Sequence, residues 1–248
     1  MDSRTLYKML NEEVNTDAVV TSVICGKLWT LVENSEGGLG MALSPGGESR
    51  PAIMDGYIGR PVCEIAACVN SWNLKEAGIG MAAMNSFFNS VPRLEKYSLE
   101  QPHNKWCTYD LDLKDKRIVL VGHLKHDEDL FGEAAEVSIL ELSPQEGDYP
   151  ASACEYIIPG CDILVITGSA LVNRTMPRLL DLGRDAFTII TGPTAPMCER
   201  LVREYDIQRI AGFIPVEYEE IRRLALAQEG CSPYPYGRRF SIKQKILR

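Results

Sequence analysis

The sequence predicts a mixed α/β protein, with an α+β half over residues 1–112 followed by a half built on a parallel sheet, residues 113–248. Three observations predict it. From Lys116 onward, short apolar runs recur at 118–121, 137–142, 163–166, 187–190 and 210–214, with starts 19, 26, 24 and 23 residues apart. That interval is the length of a strand, a crossover helix and two loops. The runs are almost wholly apolar, as strands covered by helices on both faces are. Before residue 45, by contrast, the apolar stretches are short and joined by glycine turns, the pattern of antiparallel hairpins.

Taken in order, residues 6–14 read as an amphipathic helix. Runs at 19–25, 28–33 and 39–43, joined by Gly26-Lys27 and by 34–38, read as strands, and 28–43 as a hairpin separate from the later sheet. Residues 61–69 and 74–88 look helical, the second with Ala, Met and Gly at close-packing positions. Pro92, Pro102 and a charged run mark 91–115 as a connection between the halves. In the second half, Thr175 and Thr194 are each followed two residues later by proline, Pro177 and Pro196, which predicts an N-cap and a helix start at both. A last helix is expected over 215–228, stopping at Gly230.

Composition narrows the function classes. Of 248 residues, 45% are hydrophobic and 24% charged, so order is expected throughout. The net charge of −8 and a pI near 5.1 disfavour a nucleic-acid partner. The basic tail, Arg238, Arg239, Lys243, Lys245 and Arg248, reads as a solvated end. Residues 1–14 lack the unbroken apolar region of a signal peptide, and no stretch approaches the roughly 20 apolar residues of a membrane span, so the expectation is a cytoplasmic protein without a membrane partner. Its eight cysteines are then thiols, and Asn173-Arg174-Thr175 is a glycosylation sequon without consequence. Homo-oligomer formation is left open.

Four segments carry a family resemblance: Gly37-Gly38-Leu39-Gly40-Met41-Ala42, Ile79-Gly80-Met81-Ala82-Ala83-Met84-Asn85, the stretch from Thr167 through Gly168, Ser169 and Asn173 to Thr175, and Gly192-Pro193-Thr194-Ala195-Pro196. With these the chain resembles, over nearly its whole length, the DUF364 family, also called the heavy-metal chelation family. The resemblance implies an enolase N-terminal-like domain followed by a Rossmann-like domain, with a proposed active site between them. It implies no particular reaction and no catalytic residues.

In an open parallel sheet, ligands bind outside the carboxyl ends of the strands. Gly122-His123, Glu141, Thr167-Gly168-Ser169 and Gly192-Pro193-Thr194 follow four of the runs, and all combine small residues with polar side chains. Small residues admit a ligand to the backbone, and free N–H groups suit an anion; tight turns and caps use the same residue types. Glu141 lies 19 residues after Gly122, the offset of a ribose-binding acid, although no three-glycine loop accompanies it, so conventional NAD or FAD binding is not expected. A solvated or lysine-paired Glu141 is the alternative. Asn173 completes the third segment, and from the first half Asn85, Asn70, Asn73, Ser71 and Glu64 are candidates to face the crevice, with capping of the helix near Leu74 as the other use of Asn73 and Ser71.

His123 and His126, just before Asp127, Glu128 and Asp129, are the candidate metal ligands, with an acidic helix start as the commoner explanation. Cysteine pairs are separated by four residues (Cys63, Cys68) and six (Cys154, Cys161), which argues against local zinc or iron-sulfur sites. Cys198 is expected in a helix's first turn, where a thiol pKa falls, unless it is simply packed. Signatures of the α/β-hydrolase elbow, the zincins and the P-loop are absent.

The reading that results is binding of a small polar ligand, with a heavy-metal chelate as the class the resemblance suggests, in the crevice between the halves. Glu141, His123 and Cys198 are the candidate reactive groups if the protein is an enzyme. The alternatives are an enzyme acting on a nucleoside-like metabolite and a structural or regulatory subunit. Valine at Gly168 or Gly192 is expected to abolish binding without unfolding the chain.

Overall fold

A computed structural model describes residues 3–46, 50–94, 108, 110–122, 131–227 and 232–244. Helix α1 (Ser3–Glu13) buries Leu6, Tyr7, Met9 and Leu10 and leaves Arg4, Lys8 and Glu12 on its exposed face. Strands β1 (Val20–Cys25), β2 (Trp29–Asn34) and β3 (Leu39–Leu43) form the expected antiparallel sheet, in the order β1-β2-β3. Alternation along β2 gives it two apolar faces: Val32 joins the main core, whereas Trp29 and Leu31 pack with Phe213, Ile221 and Leu224 of the second half. Helices α2 (Val62–Ala66) and α3 (Leu74–Phe88) follow, with a 3-10 turn at Ala67–Asn70 between them and α4 (Val91–Leu94) after them. Gly80 shows why α3 carries small residues, since a Cβ there would overlap the backbone N of Val69.

The second half contains β4 (Arg117–Val121), β5 (Glu136–Glu141), β6 (Tyr149–Pro150), α5 (Cys154–Ile157), β7 (Ile163–Thr167), α6 (Met176–Leu182), β8 (Phe187–Thr191), α7 (Glu199–Glu204), β9 (Arg209–Pro215), α8 (Tyr218–Leu226) and β10 (Gly237–Lys243). One seven-stranded sheet results, in the order β10-β9-β8-β7-β4-β5-β6, with every pair parallel except β9 and β10. All five apolar runs lie in it. Ile118, Leu120, Ile163, Val165 and Ile189 pack on one face; Val119, Leu164, Ile166 and Ile190 pack on the other, in the core that also contains Leu6, Ala42, Met81 and Phe88. The apolar interior of the second half therefore continues into the first. No helix among the described residues is long and apolar enough to cross a membrane.

Three local expectations need correction. The described part of the tail is not a solvated end: Arg238, Arg239 and Lys243 lie on β10, an edge strand that buries Ser241 and Ile242 and pairs along all of β9, while Lys245 and Arg248 lie outside the described residues. The final helix runs only over Tyr218–Leu226, and Gly230 lies outside the described residues. No helix begins at Thr194, because α7 starts at Glu199 with Cys198 as its N-cap residue, and 192–197 instead docks onto the first half. The start at Met176 is as expected, but the Thr175 hydroxyl donates to Asn173 Oδ1 at 2.7 Å and caps nothing.

Candidate functional site

Strand β4 leads towards β5 on one side, while β7 leads towards β8 and β9 on the other, so the sheet's switch point lies between β4 and β7. Val121 pairs with both Leu140 and Ile166, and Thr167 pairs with Thr191. Carried one residue forward, this register sets Glu141, Gly122, Thr167 and Thr191 in one row at the carboxyl edge. Gly122 ends β4 with φ +100°, and a Cβ there would lie 3.0 Å from Thr167 Cγ2. The Thr167 and Ser169 hydroxyls are hydrogen-bonded to each other at 3.0 Å and are only partly buried. Gly192, beyond β8, has φ +107°, and no described atom lies within 4 Å of where its Cβ would stand. Of these positions Gly192 has backbone beside open space, one strand away from the Thr167 and Ser169 hydroxyls.

Gly168 is different. A Cβ there would overlap the backbone N of Ala195, so this glycine is needed for packing of the two loops. Pro193 and Thr194 are buried and face the first half: Thr194 Oγ1 accepts from Leu43 N at 2.9 Å, and Asn85 Nδ2 donates to Thr194 O at 3.1 Å, Pro193 O at 3.5 Å and Met41 O at 2.8 Å. Asn85 Oδ1 is buried with no hydrogen-bond partner among the described residues. One turn later, Asn89 donates to Ala195 O at 3.1 Å and Phe213 O at 3.2 Å and accepts from Met197 N at 2.9 Å. The two carboxamides, Asn85 on α3 and Asn89 four residues later at its C-cap, thus hold 193–197 against the first half. Asn89 was not singled out by sequence reasoning, although a second polar residue one turn after Asn85 in an apolar helix is a readable sign.

The remaining candidates divide between local and outlying roles. Glu141 turns at least one carboxylate oxygen onto its own loop, Oε2 accepting from Leu142 N at 2.5 Å and Ser143 N at 3.2 Å, as a turn carboxylate does. Asn173 Oδ1 accepts from the Thr175 N–H at 3.1 Å as well as from its hydroxyl. Asn73 caps α3 by accepting from Glu76 N, and Ser71 Oγ accepts from Asn73 N, so both are helix-start residues. Glu64 pairs with Arg60, and Asn70 is exposed beside α1. His123 and His126 lie outside the described residues. Among the described residues, no group of three or more His, Cys, Asp or Glu is placed to hold a metal ion.

Cys198 is fully buried, and burial pushes its thiol up to about 11, against the lowering expected of a helix N-terminus. The thiolate is then a minor species at neutral pH. Alkylation with iodoacetamide at about pH 8 should modify exposed Cys25 and Cys63 first and leave Cys198 intact while the protein is folded. Peptide mapping that found Cys198 labelled as fast as Cys63 would restore it as a nucleophile.

Residues 108–245 match the family model DUF364, described as "Putative heavy-metal chelation". Residues 7–88 match DUF4213, which carries the same description. No curated protein matches the chain. Among solved structures, a DUF364 protein of unknown function from Desulfitobacterium hafniense DCB-2 superposes with a TM-score of 0.86 at 31% identity, covering 98% of each chain. Another, from Pyrococcus horikoshii, gives 0.78 at 20% identity, covering 98% of this chain and all of that one, and likewise has unknown function. The second likeness bears on fold alone.

Proposed function

We propose that this chain, which belongs to the DUF364 family, binds a small polar organic ligand that carries a heavy metal, at the carboxyl edge of the parallel sheet where a first domain, 1–112, meets a second, 113–248. The observation that carries the reading is Asn85 Oδ1, a buried acceptor at the joint of the two halves with no donor among the described residues. Leaving such a group unpaired costs about 1–3 kcal/mol, so it calls for a hydrogen-bond donor from a bound molecule. The amide cannot simply turn over, because its Nδ2 already donates to carbonyls of Met41 and Thr194. Gly122, Thr167, Ser169 and Gly192 follow the adjoining strand ends, with the two hydroxyls partly buried, and Glu141 shares their row.

In this reading the metal is cargo held by the ligand, and the protein recognises the complex through amides and hydroxyls. Native mass spectrometry of protein purified anaerobically, with metal analysis of the same sample, tests it: an organic ligand and its metal should leave the protein together. The competing arrangement, direct chelation by His123 and His126, makes a different prediction. There the double variant His123→Ala, His126→Ala would lose free-metal binding, and wild-type affinity would fall as imidazoles protonate near their unperturbed pKa of about 6.5. We expect isothermal titration with free divalent metals to show no tight 1:1 site in wild type. A tight site that disappears in the double variant would sink the proposal.

A further inference from the structure

Away from the sheet edge, α1 and the turn before α3 enclose a recess of about 550 Å³ with one residue of the second half, Arg174. Arg4, Lys8, Asn11 and Glu12 enter it from α1 at i, i+4, i+7 and i+8, one face of the helix, and Asn70 and Trp72 complete its lining. Among the described lining residues, the cations Arg4, Lys8 and Arg174 outnumber the single carboxylate, Glu12, which lies closer to Arg200 (3.3 Å) than to Lys8 (3.9 Å). This charge balance is unusual on a chain of net charge −8.

Arg174 is the centre of it. Its backbone sits at φ +66°, a left-handed conformation uncommon outside glycine, and that turn directs the side chain across the domain boundary. One terminal nitrogen, Nη2, donates to Val69 O at 3.1 Å. The guanidinium packs 4.3 Å from the Trp72 ring centroid and 5.6 Å from that of Tyr7. Its Nε is buried without a partner among the described residues, and no described carboxylate pairs with it. Partial burial already pulls the Arg174 pKa below its ordinary value, as desolvation of an uncompensated cation does. Trp72 itself is 65% exposed, a large aromatic wall left in solvent. Asn11 adds a buried Oδ1 with no partner among the described residues.

We propose that this recess binds a small hydroxy-polycarboxylate, with its carboxylates on Arg174 and Lys8, its hydroxyl donated to Asn11 Oδ1, and Trp72 as its wall. A guanidinium stacked on an indole keeps its edge free for a carboxylate, and Nη2 on Val69 O fixes the direction of that edge. Because Arg174 belongs to the second half and every other lining residue to the first, the bound anion also ties the halves together. The site shares no residue with the proposed sheet-edge site and stands or falls apart from it.

Metal-free citrate is the probe, titrated calorimetrically at low salt, with tricarballylate, which lacks the hydroxyl, and inorganic phosphate as comparisons. Wild type should bind citrate 1:1, more weakly as ionic strength rises, and tricarballylate and phosphate less tightly. Arg174→Gln should lower citrate affinity about tenfold or more, and Lys8→Gln about threefold. Lys8 has a side chain 78% exposed, so its variant keeps the test alive if Arg174→Gln fails to fold in a thermal melt. Absence of 1:1 citrate binding, a folded Arg174→Gln of unchanged affinity, or an unchanged Lys8→Gln when Arg174→Gln does not fold would overturn the proposal. Phosphate binding as tightly as citrate would overturn the hydroxy-acid assignment in favour of a plain anion site.

Discussion

Asn89→Leu is expected to lower the stability of the protein by about 4 kcal/mol, because it leaves three buried backbone groups without partners at about 1–3 kcal/mol each and some relaxation is certain. The groups are Ala195 O, Phe213 O and Met197 N, all in the second half, and the side chain that serves them ends α3 of the first. Leucine keeps the branching and the number of side-chain heavy atoms of asparagine, but its methyl groups are bulkier than the amide, so some overpacking adds to the loss of hydrogen bonds. Asn85→Leu should cost less, about 2 kcal/mol, since it deprives chiefly Met41 O and Thr194 O while removing an acceptor that had no partner. Urea unfolding should show one transition in each variant, with the midpoint displaced further for Asn89→Leu. A displacement equivalent to less than about 1 kcal/mol would show that water replaces the carboxamide and that the two halves are not held through 193–197.

The parallel sheet was legible because both its faces are covered, so its strands read as uninterrupted apolar runs at helix-plus-strand intervals. β10 was not, since an edge strand needs apolar residues on only part of its surface, and Arg238, Arg239 and Lys243 hide the alternation that Phe240 and Ile242 retain. The Thr194-Ala195-Pro196 segment shows a different limit. A threonine two residues before a proline is as suitable for a turn docked on another domain as for a helix start, and only the distant Leu43 and Asn89 decide between them. The candidate site was legible to the level of strand ends, because topology alone places Gly122, Glu141, Thr167 and Gly192 at one edge. Which of those residues face open space, and which are consumed by packing, depends on contacts more than twenty residues apart in sequence. Arg174 escaped for the same reason: nothing near it in the chain announces Val69 and Trp72 as its neighbours.

The two glycines expected to behave alike at that edge should behave oppositely. Gly168→Val is expected to destabilise the protein by about 3 kcal/mol or more, since the new Cβ overlaps the backbone of Ala195 and backbone cannot swing aside as a flexible side chain does. Lost binding in that variant would then report damage to the fold. Gly192→Ala meets no described atom within 4 Å, and its cost is the left-handed backbone alone, φ +107°, at about 1–2 kcal/mol. A folded, cooperatively melting Gly192→Ala should therefore be recovered, and recovered empty, because the methyl group occupies the space into which the proposed ligand fits. Native mass spectra and thermal melts of both variants, purified in parallel with wild type, supply the comparison. Full ligand occupancy in folded Gly192→Ala would remove the loop after β8 from the site, and a Gly168→Val protein as stable as wild type would mean that the loops at Gly168 and Ala195 do not pack as tightly as their geometry requires.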